Sequence, residues 1–177
     1  MRPIQMVDLK AQYEEIKSEV DTAVLDCLAS TAFINGPIVQ RFQEHLASYL
    51  DAKAVIPCAN GTDALQIAMM ALDLSPGDEV IVPTFTYVST AEVLGVLGLT
   101  PVMVDVDPDT FNITAELIEP AISEKTKAIV PVHLFGQSAD MEPILKLAKK
   151  HNLYVVEDNA QAIGADYTFS DGRVQKT

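Results

Sequence analysis

Short apolar runs separated by helix-length segments are the feature of this sequence that most restricts its fold. From Ala54 onward five such runs occur, at residues 55–56, 80–82, 102–104, 128–130 and 154–156. Strands this short and this uniformly apolar are typically covered on both faces, as in a parallel sheet between helices. The sequence therefore predicts an α/β fold with a mostly parallel sheet that is flanked by helices.

The first fifty residues have a different pattern. Apolar residues recur at three- and four-residue steps between Leu9 and Leu28, and again between Val39 and Tyr49, which predicts two amphipathic helices. Pro37 suits the first turn of the second helix. Because no linker, low-complexity tract or repeat is visible, we expect a helical N-terminal arm over residues 1–53 and one α/β domain over residues 54–177.

Composition excludes several classes of partner. The 177 residues are 49% hydrophobic, enough for a substantial core, and they carry 12 basic against 25 acidic side chains. The resulting formal charge of -13 repels nucleic acids and anionic membranes. The N-terminus lacks the apolar core of a signal peptide, and no stretch is long enough to span a bilayer. With Cys27 and Cys58 outside any metal-ligand spacing, we expect reduced thiols and a cytoplasmic protein.

The segment NGTDAL at residues 60–65 is a candidate phosphate site. Gly61, Thr62 and Asp63 lie after the apolar run at residues 55–56 and begin a predicted helix, whose first N–H groups and dipole favour an anion. Gly61 would allow close approach. The sequence is not a Walker loop. An alternative is that Thr62 or Asp63 only caps the helix, which is apolar on nearly every side and should be buried.

A second candidate site follows the last predicted strand. A carboxylate at Asp158 could pair with a protonated pyridine nitrogen and so strengthen the ring as an electron sink. Gln161 could donate a hydrogen bond to a ligand oxygen. The alternatives are a strand-end aspartate that caps the next segment and a glutamine that points to solvent. Together with the phosphate site, these residues predict a binding site for pyridoxal 5'-phosphate.

Aromatic residues follow the predicted strand at residues 80–82. Phe85 or Tyr87 could stack on a planar cofactor, which contributes about 0.5–1.5 kcal/mol beyond burial. Only one of the two rings needs to face a ligand. The alternative is that both are core or rim residues.

Two further groups of residues support competing interpretations. Asp105 and Asp107 follow an apolar strand, as the nucleophile and metal ligand do in Mg²⁺-dependent phosphohydrolases. An acidic turn before a helix capped by Thr114 explains the same residues, and no downstream lysine and acidic pair is evident. His133 stands at a strand end without an obvious partner, so a structural histidine is the simpler interpretation.

Four motifs in register resemble the DegT/DnrJ/EryC1/StrS family of sugar aminotransferases. They are NGTDAL at 60–65, PGDEV at 76–80, PVHLFG at 131–136 and EDNAQ at 157–161, and the resemblance extends from Met6 to about Tyr167. Residues 6–9 and 33–37 are most similar to the branch that aminates nucleotide-linked keto sugars, such as 3-keto-glucuronate derivatives used for surface polysaccharides.

The resemblance implies the large domain of fold-type I pyridoxal phosphate enzymes and a homodimer with active sites at the subunit interface. Gly61, Thr62 and Asp63 would hold the cofactor phosphate. Tyr87 would stack on the ring, Asp158 would pair with the ring nitrogen, and Gln161 would contact the ring hydroxyl. The implied reaction moves an amino group from an amino acid, expected to be glutamate, through pyridoxamine phosphate to a nucleotide-linked keto sugar.

The sequence departs from the family pattern at one position that matters for catalysis. The family carries its Schiff-base lysine in a Ser-x-x-Lys segment beyond the position of Asp158, and Lys176 has the wrong neighbours for that role. No catalytic residue is therefore assigned. We expect these 177 residues to be the N-terminal portion of such an enzyme and inactive by themselves, with sheet edges and apolar faces uncovered. A non-enzymatic remnant that binds the cofactor weakly is a third interpretation.

Overall fold

The computed structural model describes residues 6–177, which form two compact units. The smaller unit comprises residues up to 48 together with 52–55, and the larger unit comprises residues 49–51 and 56–177. Among the described residues, no helix combines the length and apolarity that a membrane span requires.

Two helices account for most of the first 50 residues, as the apolar periodicity predicted. Helix α1 (Leu9–Ser30) begins at Asp8, whose side chain accepts the N–H of Ala11, and ends at Thr31 in the left-handed conformation. Helix α2 (Pro37–Leu50) starts with the expected proline. Neither helix buries a side chain completely, so their apolar residues remain largely exposed.

A four-stranded parallel sheet forms the centre of the larger unit. Its strands are β1 (Glu79–Pro83), β2 (Thr100–Val104), β3 (Thr126–Ile129) and β4 (Tyr154–Val155), in the order β2-β1-β3-β4. Glu79 lies opposite Thr100 in β2, and Ala128 of β3 lies opposite Tyr154 in β4. The predicted α/β fold with a parallel sheet is confirmed.

Helices cover both faces of this sheet. Helix α3 (Gly61–Ala71) and helix α4 (Ser89–Val96) pack on the face that carries Val80 and Val82. Helix α5 (Ala115–Ile118) and helix α6 (Met141–His151) pack on the opposite face, which carries Ile81 and Ile129. Because successive strand residues point to opposite faces, the two clusters bury alternate residues of β1.

Smaller elements complete the larger unit. Single turns of 3-10 helix occupy Glu119–Ala121 and Leu134–Gly136. Strands β5 (Asp166–Thr168) and β6 (Val174–Lys176) form an antiparallel hairpin. The hairpin is bonded to the start of α6, because the Glu142 carboxylate accepts both the N–H and the hydroxyl of Ser170.

Three details differ from the sequence-based expectations. Residues 55–56 form no strand, and Ile56 is 74% exposed, because this segment pairs with no described strand. Strand β2 is not covered on both faces, since it is an edge strand and Met103 is 59% exposed. Helix α3 is not buried on all sides, since only Met69 is fully buried and Met70 is 60% exposed.

Candidate active site

The candidate residues that follow strands lie at the carboxyl edge of the sheet. The loop at residues 84–88 leaves β1, Asp105 follows β2, His133 lies beyond β3, and Asp158 lies beyond β4. A parallel bridge between Val132 and Asp158 continues the pairing of β3 and β4 to this point. The carboxyl edge is where ligands bind in open α/β sheets.

The start of α3 has unpaired donors. Asn60 is the N-cap: its side chain accepts the N–H of Asp63 at 2.9 Å, and its carbonyl accepts the N–H of Ala64. The alternative that Thr62 or Asp63 only caps the helix is therefore wrong. Within residues 6–177, no protein group accepts the N–H of Gly61 or Thr62. A side chain at Gly61 would point into open space, so an anion can approach these donors.

Asp158 is held firmly from several directions. Its backbone N–H donates to the carbonyl of Pro131, and its carbonyl accepts the N–H of His133. One carboxylate oxygen, Oδ2, accepts the hydroxyl of Thr90 at 2.9 Å. The other, Oδ1, accepts the N–H of Ala160 at 3.2 Å, the local cap considered from the sequence. Each oxygen retains a lone pair for a further donor.

Tyr87 and Gln161 line the same cavity, which has a volume of about 230 Å³. Tyr87 is 74% exposed, so its ring is accessible. Gln161 does not simply point to solvent, because its Oε1 accepts the N–H of Phe135 at 3.0 Å. That contact leaves the Nε2 amide group as its donor toward a ligand. Gly61, Thr62, Asp63 and Asp158 are not among the residues that line this cavity.

Phe85 lines the same cavity as Tyr87 and also belongs to an aromatic cluster. Its ring centroid lies 5.4 Å from that of Phe111, and Phe111 lies 5.9 Å from Phe135. Phe111 and Phe135 both have positive φ, at 61° and 57°. Bulky residues adopt this conformation rarely, so the surrounding loops must hold it in place.

His133 has the structural role that its isolated position suggested, but it does have a partner. The side chain is fully buried, its Nε2 lies 2.9 Å from Glu157 Oε2, and its Nδ1 accepts the N–H of Ala139 at 3.1 Å. Because Nδ1 accepts, the proton is on Nε2 and donates to Glu157. The imidazole therefore fixes the residue that precedes Asp158.

The two aspartates after β2 are occupied by local hydrogen bonds. Asp107 Oδ1 accepts the N–H groups of Asp109 and Thr110, and these bonds, with that of Thr110 first, lower the pKa of the Asp107 carboxyl. Asp105 Oδ1 accepts the N–H of Val106 at 2.8 Å. In the described part of the chain, no group of three or more acidic, histidine or cysteine side chains could hold a metal ion. The acidic-turn interpretation explains these contacts fully.

Sequence reasoning missed two residues that connect the parts of the site. Ser89 and Thr90 begin α4 and are 6% and 1% exposed. The Ser89 hydroxyl lies 2.7 Å from that of Thr62, while the Thr90 hydroxyl bonds Asp158. The sequence signal that could have found them is a pair of adjacent hydroxyl residues shortly after a predicted strand. They link the start of α3 to the carboxylate beyond β4.

This arrangement fits pyridoxal 5'-phosphate. Free N–H groups at a helix start match a phosphate, an accessible tyrosine matches a planar ring, and a fixed carboxylate matches a ring nitrogen. A parallel α/β sheet with these groups at its carboxyl edge is typical of the large domain of fold-type I pyridoxal phosphate enzymes.

Comparison with known proteins agrees with that class. The chain belongs to the DegT/DnrJ/EryC1/StrS aminotransferase family, whose sequence profile matches residues 14–173. It is 49% identical over 164 residues to the UDP-2-acetamido-2-deoxy-3-oxo-D-glucuronate aminotransferase of Pseudomonas aeruginosa, covering 93% of this chain and 46% of that protein. The chain thus spans less than half the length of this curated relative.

Solved structures give the same result. The crystal structure of DesV from S. venezuelae superposes with a TM-score of 0.88 at 40% identity, covering 92% of this chain and 44% of that one. NtdA from Bacillus subtilis, solved with bound cofactor PMP, superposes with a TM-score of 0.86 at 36% identity, covering 93% and 38%. The family is a family of pyridoxal phosphate-dependent enzymes, and the resemblance noted from the four motifs is confirmed.

Proposed function

We propose that the protein carrying this chain is a pyridoxal phosphate-dependent aminotransferase that transfers an amino group from an amino acid, glutamate in the first instance, to a nucleotide-linked keto sugar. The observation that carries the proposal is the assembly of three cofactor-binding features around the start of α4. Tyr87 precedes this helix, and Ser89 and Thr90 bond Thr62 and Asp158. The proposal concerns the whole protein rather than residues 1–177 alone.

The candidate site residues have the following roles in the proposal. The N–H groups of Gly61 and Thr62 bind the cofactor phosphate, and Asp63 in the first turn is bonded to the cap residue Asn60. Tyr87 covers one face of the ring, and Gln161 donates its amide to the ring hydroxyl. Asp158 holds the proton on the ring nitrogen. When bound, the cofactor supplies an electron sink for the bond changes at the carbon that carries the amino group.

Sequence similarity supports the proposed substrate class. The Pseudomonas aeruginosa relative acts, by its name, on a UDP-linked 3-oxo sugar acid. The resemblance of the four motifs motivates a second step, and we propose that this protein acts in the cytoplasm, in the synthesis of amino sugars for surface polysaccharides.

A homodimer is part of the same proposal. Large apolar side chains remain exposed on the larger unit, including Ile67 and Met70 of α3, at 46% and 60%. Neighbouring exposed apolar side chains of this kind mark a surface that is covered in the whole protein, and we assign a second subunit to it. Sedimentation of the purified protein should give twice the mass of one polypeptide.

The test of the activity is a half-reaction assay. The protein loaded with pyridoxal phosphate is mixed with glutamate, and we expect the cofactor absorbance to change as 2-oxoglutarate forms. Addition of a UDP-linked 3-keto sugar should then restore the original spectrum. Asp158→Asn should slow the first step by about a hundredfold or more, because an amide does not hold the ring nitrogen protonated. A glutamate reaction that proceeds equally fast in Asp158→Asn would contradict the proposed role.

A further inference from the structure

Thr90 has a buried hydroxyl whose bonding partner lies far away in sequence. A threonine in a helix commonly bonds a carbonyl of its own preceding turn. The Thr90 hydroxyl instead donates to Asp158 Oδ2 at 2.9 Å, across 68 residues. With only 1% of the residue exposed, no solvent competes for this bond.

Hydrogen bonds to its backbone and to both carboxylate oxygens fix Asp158 before any ligand arrives. Its backbone is bonded to Pro131 and His133, which follow β3, and Oδ1 accepts the N–H of Ala160. Without Thr90, the 3.2 Å bond to Ala160 would be the one bond from the described residues that limits rotation of the carboxylate plane. The Thr90 hydroxyl thus determines which direction the remaining lone pairs face.

We infer that Thr90 is a positioning residue, which orients Asp158 so that a carboxylate oxygen meets the ring nitrogen of the bound cofactor. The inference rests on the proposed function, since it concerns the same cofactor. A carboxylate held in place in advance stabilises the protonated ring without an ordering cost at the moment of binding. Ser89 bonds Thr62 at the phosphate end, so adjacent residues of α4 support opposite ends of one ligand.

The chain offers variants that separate this role from simple packing. Thr90→Val keeps the branched shape and removes the hydroxyl, whereas Thr90→Ser keeps the hydroxyl. Thr126→Val is the matched control, because Thr126 is also buried, at 4% exposure, and its hydroxyl lies 3.3 Å from the Glu79 carboxylate. Thr126 begins β3 and therefore lies at the opposite edge of the sheet from Asp158.

The experiment measures the binding of two ligands to the whole protein that carries this chain. The first is pyridoxamine 5'-phosphate, and the second is its 1-deaza analogue, in which carbon replaces the ring nitrogen. Thr90→Val should raise the Kd of pyridoxamine phosphate about tenfold, because the Asp158 carboxylate must then be ordered when the ligand binds. It should change the Kd of the deaza analogue less than about twofold, and Thr90→Ser and Thr126→Val should leave both constants near those of the unchanged protein.

A second readout follows the proton directly. With ¹⁵N in the ring of pyridoxamine phosphate, the nitrogen chemical shift should report loss of the ring proton at lower pH in Thr90→Val than in the unchanged protein. Equal weakening of both ligands, or no weakening of either, would overturn the positioning role while leaving the cofactor site in place. Failure of the unchanged protein to bind pyridoxamine phosphate would overturn the proposed function and this inference together.

Discussion

The Nε2 atom of His133 lies 2.9 Å from Oε2 of Glu157, deep at the carboxyl edge of the sheet. The imidazole is fully buried, whereas the Glu157 side chain is 34% exposed. This bond joins the segment after β3 to the segment after β4. It holds the backbone on which Asp158 stands, so we expect its loss to affect both stability and the site.

His133→Leu should lower the free energy of unfolding by roughly 2–4 kcal/mol. The substitution leaves the N–H of Ala139 without its acceptor in a buried place, and it removes the donor to Glu157. Urea denaturation monitored by circular dichroism measures the change. His45→Leu is the control, because His45 is exposed and should change stability by less than about 0.5 kcal/mol. Equal effects of the two substitutions would contradict a structural role for His133.

The hairpin of β5 and β6 should be sensitive to acid through Glu142. Bonds from Lys146 first, and then from the hydroxyl and N–H of Ser170, lower the pKa of the Glu142 carboxyl from 4.5 to about 2. A lowered pKa in the folded state contributes stability above the unfolded value, and this contribution is lost as pH falls from about 4.5 toward 2.

Glu142→Gln should therefore flatten the dependence of unfolding free energy on pH between pH 6 and pH 2, because the titrating group is gone. Denaturant titrations at several pH values give this slope. Glu124→Gln, at an exposed glutamate of the same unit, serves as the control. An unchanged slope in Glu142→Gln would show that the contacts of Glu142 with Lys146 and Ser170 do not persist in solution.

The parts of the fold that sequence predicted are those that depend on local patterns. Val80 and Val82 alternate with Ile81 between two apolar clusters, and a run apolar at every position is what such a strand requires. Residues 55–56 are also apolar at every position, but no described strand pairs with them. An apolar run indicates that a segment can be buried, and it does not indicate which backbone pairs with it.

In the candidate site, too, local features could be predicted from the sequence and contacts between distant residues could not. Gly61 and Asp158 could be selected as candidates because a helix start and a strand end have local signatures, and Tyr87 follows a strand. The bonds that join these residues could not be predicted. Thr90 and Asp158 are 68 residues apart, and His133 and Glu157 are 24 apart, so only the strand order brings each pair together.

Asn112 holds the turn that presents Phe135 and, through it, Gln161. It is 3% exposed, its Oδ1 accepts the N–H of Leu134 at 3.1 Å, and its Nδ2 donates to the carbonyl of Gln137 at 3.0 Å. Asn112→Leu keeps the branching at Cγ but leaves both backbone groups unpaired. We expect a loss of roughly 2–4 kcal/mol in unfolding free energy.

The same urea titration measures this loss. An Asn112→Leu variant as stable as the unchanged protein would contradict a role for these two bonds in fixing the turn.

Thr62 provides the sharpest test of the phosphate end of the site. Its hydroxyl lies 2.7 Å from that of Ser89, which leaves it able to donate to a phosphate while accepting from Ser89. Thr62→Val should raise the Kd of pyridoxamine 5'-phosphate about tenfold, because one hydrogen bond to a charged group is lost. Isothermal titration calorimetry gives this constant.

Pyridoxamine without the phosphate is the matched ligand for this test. Its Kd should be the same for Thr62→Val and the unchanged protein, because the rest of the site does not depend on this hydroxyl. Thr62→Ser keeps the hydroxyl and should bind pyridoxamine phosphate almost as tightly as the unchanged protein. If Thr62→Val weakened both ligands equally, the hydroxyl would act on the packing of α3 against α4, and the phosphate would be held by the N–H groups of Gly61 and Thr62 alone.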